Sequence, residues 1–356
     1  MKKKSLSVKK ITPNSFNFKK IFKDKKVFKI YKEFEKNFET IRTTNKIAVS
    51  VSGGPDSMAL CFLVSYYRSI KNNKIQPLFY LVDHGLRKNS DREAKNVKKY
   101  LYSKKINLKI LKWKGLKPSS NIQSIARKKR YEILFNECKK YKIKTVLTAH
   151  HQDDIYETFF SRLLRGSGTE GLSSFLDIEK KFLFKGEIIK VIRPLLSVSK
   201  DDLIYITNNV FNFYVNDPSN EMEKFQRVRL RMLISKLKSQ GLDFNKLKLT
   251  LNNLSSTNKA INQIIDKNIS ENVILDKKKY LISSKFLSLP DEVVFRSLSI
   301  LIKKISKKYY PPRGKKIINL INELKHRDQL KATLGGTIIE KIHNSLVVSK
   351  EKTKKR

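Results

Sequence analysis

Ser52-Gly-Gly-Pro-Asp-Ser57 carries the densest chemistry in the chain. Adjacent glycines let a backbone turn at positive φ and approach an anion closely. Successive N–H groups, and the N-terminus of a following helix, then face phosphate oxygens. Ser52 and Ser57 add hydroxyl donors, so Ser52, Gly53, Gly54, Pro55, Asp56 and Ser57 are the candidate phosphate-binding residues. Asp56 suits a Mg²⁺ ion or a donor of the loop better than a phosphate, since like charges repel. No Gly-Lys-Ser/Thr follows, which excludes a Walker A loop. The alternative is a strand-to-helix turn that needs glycine for its geometry alone.

A second group is acidic. His150-His151-Gln152-Asp153-Asp154, with Glu157 three residues on, stands out in a strongly basic chain. Acids at a helix N-terminus are favoured by the helix dipole, so capping competes with function here. Asp154 and Glu157, three apart, share a helix face. Such carboxylates can hold ammonium groups, and one of them can take a proton from an attacking amine. The sequence does not separate these roles. His150 and His151 are not a metal pair, because adjacent side chains diverge.

The third group is cationic. Arg127 and Arg130, also three apart, can clamp a phosphate or a base through bidentate contacts, although Lys128 and Lys129 beside them also fit a solvated face. His84 and Arg87 follow an apolar run, where they meet a nucleotide or an RNA backbone, or simply form a polar turn. Arg165, Arg193 and Arg229 are candidates for RNA contact on the same terms.

Elements must hold these groups together. Lys46–Val51, Pro77–Val82, Ile106–Leu111 and Thr145–Ala149 read as strands. Helices are expected from Met58 to about Tyr67, Ser90 to about Lys104 (with Ser90 and Glu93 as a capping box), Asn121 to Lys142, and Ile155 to Leu164. Strand and helix alternating in this way predict a parallel sheet with helices on both faces. Ligands of such sheets bind outside the carboxyl ends of the strands. The loops at 52–57, 83–87 and 150–154 all leave strand carboxyl ends, so they are expected along one edge. Beyond residue 222 the pattern turns helical, over Phe225–Lys238, Lys246–Ile269 and Val293–Lys308, and a hairpin is expected around Gly335-Gly336. The expected organisation is a basic N-terminal extension over 1–40, a catalytic domain over 41–221 and a mainly helical region over 222–356.

With 77 Lys plus Arg against 32 Asp plus Glu in 356 residues, the net charge is +45, which points to nucleic acid. Lys, Asn and Ile are abundant throughout, as a coding bias would also produce. The two cysteines, Cys61 and Cys138, form no pair or metal cluster and suit a reducing cytoplasm. No apolar run is long enough for a membrane span, and the Lys-rich N-terminus is no secretory signal.

The phosphate loop resembles the signature of the PP-loop ATP pyrophosphatases. That resemblance implies an ATP substrate cleaved between the α and β phosphates, with Mg²⁺, and an adenylated carbonyl oxygen. Further stretches match one branch, the tRNA(Ile)-lysidine synthetases: Asp83-His-Gly-Leu-Arg87, Ala126-Arg-Lys-Lys-Arg-Tyr131, Thr148-Ala-His-His-Gln-Asp-Asp154, Leu163-Leu-Arg-Gly-Ser-Gly168, Arg193-Pro-Leu-Leu196 and Asp217-Pro-Ser-Asn220. They run in family order over about residues 46–235. The resemblance implies that free L-lysine is joined to carbon 2 of the first anticodon cytidine of a tRNA(Ile) bearing CAU, which changes AUG decoding to AUA. The residue readings above make Asp56, Arg127, Asp154 and Glu157 the candidate catalytic residues and Asp56 the candidate metal ligand. Within that resemblance the same readings make His84 the candidate nucleotide contact, and Arg87, Arg130, Asp153, Arg165, Arg193 and Arg229 the candidate contacts for lysine and tRNA. A homodimer is compatible with it. The absence of a C-x-x-C pair argues against the thiolating members, and intact Ser52, Asp56 and Ser57 argue against an RNA-binding protein with a decayed site.

Overall fold

Ile47, Ala48 and Val49 are wholly buried, Ala48 on one side of the sheet and its two neighbours on the other. A strand covered on both faces reads as a continuous apolar run, and this run is β1 (Lys46–Val51). The computed structural model describes residues 16–40, 45–71, 75–87, 89–216, 226–307, 312–343 and 345–351. The chain divides into two units, Met1–Leu247 and Lys248–Arg356.

In the first unit, α1 (Phe18–Ile21) and α2 (Lys25–Glu39) precede β1. Then follow α3 (Pro55–Lys71), β2 (Gln76–Asp83), α4 (Ser90–Ser103), β3 (Leu108–Lys112), α5 (Ile122–Lys140), β4 (Thr145–Leu147), α6 (Gln152–Leu163) and α7 (Thr169–Ser173). A hairpin of β5 (Glu179–Phe184) and β6 (Glu187–Ile192), then α8 (Lys200–Val210) and α9 (Gln226–Ser239), complete it. The sheet order is β3-β2-β1-β4-β6-β5. All neighbours are parallel except β5 and β6. From β1 the chain adds β2 and β3 on one side, then crosses to place β4 on the other. The strand order therefore reverses between β1 and β4, the point at which open α/β sheets bind ligands.

Several expectations change in detail. Residues 25–39 do not form a mere basic extension: Val27, Ile30, Tyr31, Phe34 and Phe38 recur at helical spacing and are buried in the core. The Asn37 amide donates to Pro194 O and Ser197 Oγ, both at 2.9 Å, so α2 pins the segment that follows β6. The first unit also runs past residue 221 to Leu247, because α9 packs on α6. β3 starts at Leu108 rather than Ile106, since the Ile106 N–H closes α4 by donating to Leu101 O at 2.9 Å. The capping box at Ser90 does not form. Asn89 occupies the cap position, and Glu93 pairs with Arg87 at 2.9 Å. On α5, Ala126, Leu134, Phe135 and Cys138 face the core, whereas Ile122 and Ile125 are exposed.

The division falls within α10 (Phe244–Asn272). The second unit continues with β7 (Val273–Asp276), β8 (Lys279–Ile282), α11 (Asp291–Ser306), α12 (Gly314–His326), β9 (Gln329–Leu334), β10 (Thr337–Ile342) and β11 (Ser345–Lys350). Its strands form an antiparallel sheet in the order β7-β8-β11-β10-β9. The expected hairpin is β9–β10, turned at Gly335 (φ 66°) and Gly336 (φ 89°), the positive pair that a tight two-residue turn requires. α11 and α12 cover one face of that sheet through Val294, Leu298, Ile317 and Ile321. Among the described residues, no helix is long and apolar enough to cross a membrane.

Candidate active site

The loop after β1 is drawn tight by its own serine. Ser57 is buried, and its Oγ accepts from the N–H groups of Ser52 and Gly53, both at 3.1 Å, while donating to Gly54 O at 3.0 Å. Ser57 thus shapes the loop, and its hydroxyl is occupied there rather than offered outward; Ser52 is exposed. Gly53 sits at φ 84°, and an added Cβ would lie 2.6 Å from Val97 Cγ2. Both facts require glycine. Pro55 opens α3, where its missing N–H costs nothing. Asp56 follows in the first turn, on the favourable end of the helix dipole.

The acidic turn after β4 lies against this loop. His151 is buried, with Nε2 3.7 Å from Asp56 Oδ2 and 3.7 Å from Asp154 Oδ2, and Nδ1 3.4 Å from Asp153 Oδ2. Burial would push its pKa down, but the three carboxylates outweigh burial and raise it. Asp153 moves the opposite way: burial disfavours its charge, but His151 and the Lys200 N–H hold the pKa below the usual carboxylate value. The Asp154 carboxylate accepts from the His151 N–H at 3.1 Å, which caps α6. Capping and clustering thus coexist at Asp154.

Glu157 takes a different partner. It is buried on α6, and its Oε1 accepts from Arg231 Nε of α9. Its Oε2 has no partner among the protein's groups. Arg231 is therefore a carboxylate partner.

Two helix-borne arginines reach two different strand-end loops. Arg127 Nη2 lies 3.5 Å from His150 Nε2, and His150 Nδ1 is 2.9 Å from Thr148 Oγ1. Arg130 Nε donates to His84 Nε2 at 3.2 Å. Burial first, and the Arg130 charge second, lower the His84 pKa to about 4, so this imidazole is neutral and accepts. Arg193, directly after β6, is buried with its Nε unpartnered. Its guanidinium lies 5.5 Å from the Phe175 ring centre, and Arg162 lies 4.3 Å from the same ring. Burial lowers the proton affinity of Arg193, Arg162 and Lys180, and neighbouring cations add to the effect.

The structure therefore brings Asp56, Asp153 and Asp154 together around His151, and ties Arg127 and Arg130 to the neighbouring strand ends. Arg87 is instead paired with Glu93 at the surface, and Arg165 and Arg229 are exposed. Asp217-Pro-Ser-Asn220, Phe225 and the Arg227 side chain lie outside the described residues. Sequence reasoning missed His151 as the centre of the acidic cluster and missed Lys200 altogether. The Lys200 Nζ lies 2.6 and 2.8 Å from the two Asp56 oxygens, across 144 residues. Only its place a few residues after Arg193-Pro-Leu-Leu196 could have hinted at it.

The chain matches the PP-loop domain family over residues 23–237. The tRNA(Ile)-lysidine synthase of Wolbachia sp. subsp. Brugia malayi (strain TRS) is 34% identical over 316 residues, covering 87% of this chain and 72% of that protein. The tRNA(Ile)-lysidine synthase of Wolbachia pipientis wMel is 33% identical over 317 residues, with the same coverage of 87% and 72%. Among solved structures, the U34-tRNA thiolase NcsA of Methanococcus maripaludis, which carries a 4Fe-4S cluster, superposes with a TM-score of 0.53 at 17% identity. That match covers 67% of this chain and 80% of the thiolase, and it is a likeness of fold alone.

Proposed function

Because this chain belongs to the tRNA(Ile)-lysidine synthase family and carries its PP-loop domain, we propose that it joins free L-lysine to carbon 2 of the first anticodon cytidine of a CAU-bearing tRNA(Ile) in the cytoplasm. ATP activates the base oxygen as an adenylate, and the lysine ε-amine displaces AMP. The observation that carries this reading is the meeting of the phosphate loop and the acidic turn at the switch point, through Asp56, His151, Asp153 and Asp154. In a chain of net charge +45, three carboxylates on one imidazole form a local site for cations.

The donor set fits Mg²⁺. Among the described residues no His, Cys, Asp or Glu cluster forms an all-protein cage. Mg²⁺ commonly takes one or two carboxylates and completes its shell with phosphate oxygens and water. Asp56 would be that carboxylate, and the ion would neutralise charge on the departing pyrophosphate.

Free lysine brings two ammonium groups to the site. Asp153, Asp154 and the unpartnered Glu157 Oε2 are the acceptors we assign to it. One of these carboxylates takes the proton released when the ε-amine attacks. Arg127 and Arg130 face the base and its phosphates, and Arg193 the RNA strand. Sulfur chemistry is a poor fit for the thiols: Cys61 and Cys138 are buried inside helices, and burial pushes both pKa values up, Cys138 to about 12.

The test is incorporation of radiolabelled lysine into an unmodified tRNA(Ile) transcript with Mg²⁺ and ATP. Label that depends on ATP and on the CAU anticodon is expected. ATP-dependent pyrophosphate release without label in the RNA would overturn the choice of nucleophile.

A further inference from the structure

Lys200 touches two loops at once. Its Nζ lies 2.6 and 2.8 Å from the two oxygens of Asp56, and its backbone N–H donates to Asp153 Oδ2 at 2.8 Å. The side chain thus serves the loop after β1 and the main chain serves the turn after β4. The side chain is 35% exposed, so it is free to change partner.

The helix that carries it is firmly placed. Lys200, Leu203, Thr207 and Val210 recur at spacings of three and four, which puts them on one face of α8. Leu203, Thr207 and Val210 are buried, and Thr207 Oγ1 donates to Pro55 O at 2.8 Å, at the start of α3. Ser199 caps the helix by accepting from the Asp202 N–H at 3.2 Å. Lys200 is therefore presented to the phosphate loop by a fixed backbone. It also stands at the N-terminal end of α8, where a cation opposes the helix dipole. Helix stability does not favour a lysine there; the Asp56 carboxylate does.

Asp56 is also the carboxylate assigned to Mg²⁺, and a metal ion and a bidentate ammonium compete for the same two oxygens. Resting on the ATP site proposed above, we propose that Lys200 is an exchangeable counter-ion of the phosphate loop. It holds Asp56 in the free protein, and it passes to the β- and γ-phosphate oxygens when a Mg²⁺–nucleotide takes that carboxylate. The exchange breaks and makes only hydrogen bonds, and the ammonium keeps its proton. At the phosphates it stabilises the pyrophosphate as it departs. A simple strut between α3, α6 and α8 would use the same contacts but would not respond to metal or to phosphate number.

Three measurements separate the two. In nucleotide-free protein, Mn²⁺ binding followed by electron paramagnetic resonance should tighten about tenfold in Lys200→Met, the size of one charge-assisted contact. With Mg²⁺ present, Lys200→Met should bind ATP about tenfold more weakly and AMP unchanged, and Lys200→Arg should recover most of the ATP affinity. Equal losses for ATP and AMP, or unchanged Mn²⁺ binding, would overturn the proposal. Should Lys200→Met fail to fold, the wild-type protein decides. Mg²⁺ alone should speed acetylation of the Lys200 amine, and Mg²⁺ with ATP should slow it. Rates indifferent to both ligands would also overturn it. A wild-type protein that binds no ATP would instead count against the proposed function itself.

Discussion

Three carboxylates, Asp56, Asp153 and Asp154, surround one buried imidazole, whereas two guanidiniums, those of Arg162 and Arg193, flank one aromatic ring, Phe175. Asp153 and Asp154 follow β4, and Arg193 follows its parallel neighbour β6. Their charges are compensated very differently. The acidic group is compensated from within: Lys200 supplies a cation to Asp56, the carboxylates raise the His151 pKa against burial, and the Asp153 pKa is lowered. In the cationic group burial comes first and neighbouring cations add to it, and together they outweigh nearby acids, so the proton affinity of Arg193, Arg162 and Lys180 is lowered. Buried charge is costly unless it is paired. A cation arriving at Asp56 competes with Lys200, while an anion arriving at the cationic group meets buried positive charge. The first arrangement suits Mg²⁺ and an amine, and the second suits a nucleic-acid backbone.

This contrast can be broken by mutation. The largest expected effect is from Asp56→Asn, which should slow pyrophosphate release by about 100-fold or more while leaving RNA affinity in a filter-binding assay nearly unchanged. A comparable loss of RNA binding would merge the two groups into one. Arg193→Ala should do the reverse. We expect RNA affinity to fall by about tenfold and the slope of log affinity against log salt to become shallower by about one, with the KM for lysine unmoved.

Smaller effects concern the frame. Gly53→Ala should lower stability by about 1–3 kcal/mol in a denaturant melt, from positive φ and from the contact with Val97. An unchanged midpoint would show that the loop repacks freely. His84→Asn tests the Arg130 side. Its folded pKa of about 4 lies below the ordinary 6.5, so the folded state binds fewer protons than the unfolded state in that window. The stability tied to neutral His84 is present above about pH 6.5 and is lost as pH falls toward 4. Asn keeps an acceptor for Arg130 but cannot titrate, so its melting temperature should depend less on pH across that range. Identical pH profiles for the two proteins would remove His84 from the account.

Much of the frame was legible because it is local. β1 is an apolar run ending in glycines, and α3 is the apolar helix after it. What escaped reading depends on partners distant in the chain. The β5–β6 hairpin has mixed Lys and Phe positions and finds its place only by pairing β6 with β4. α2 resembles a basic arm until its apolar stripe meets the core. Glu157 and Asp154 share a helix face as spacing requires, but the approach of α9 gives Glu157 to Arg231.

The sequence by itself determined the phosphate loop, the parallel sheet and the order of the loops along it, since each rests on steric and periodic rules acting over a few residues. Tertiary structure alone decided which charges meet. The Coulomb interaction depends on distance in space and on local burial, neither of which is written in chain separation. That is why Asp56 finds Lys200 across 144 residues, and why His151 becomes the hub of three acids.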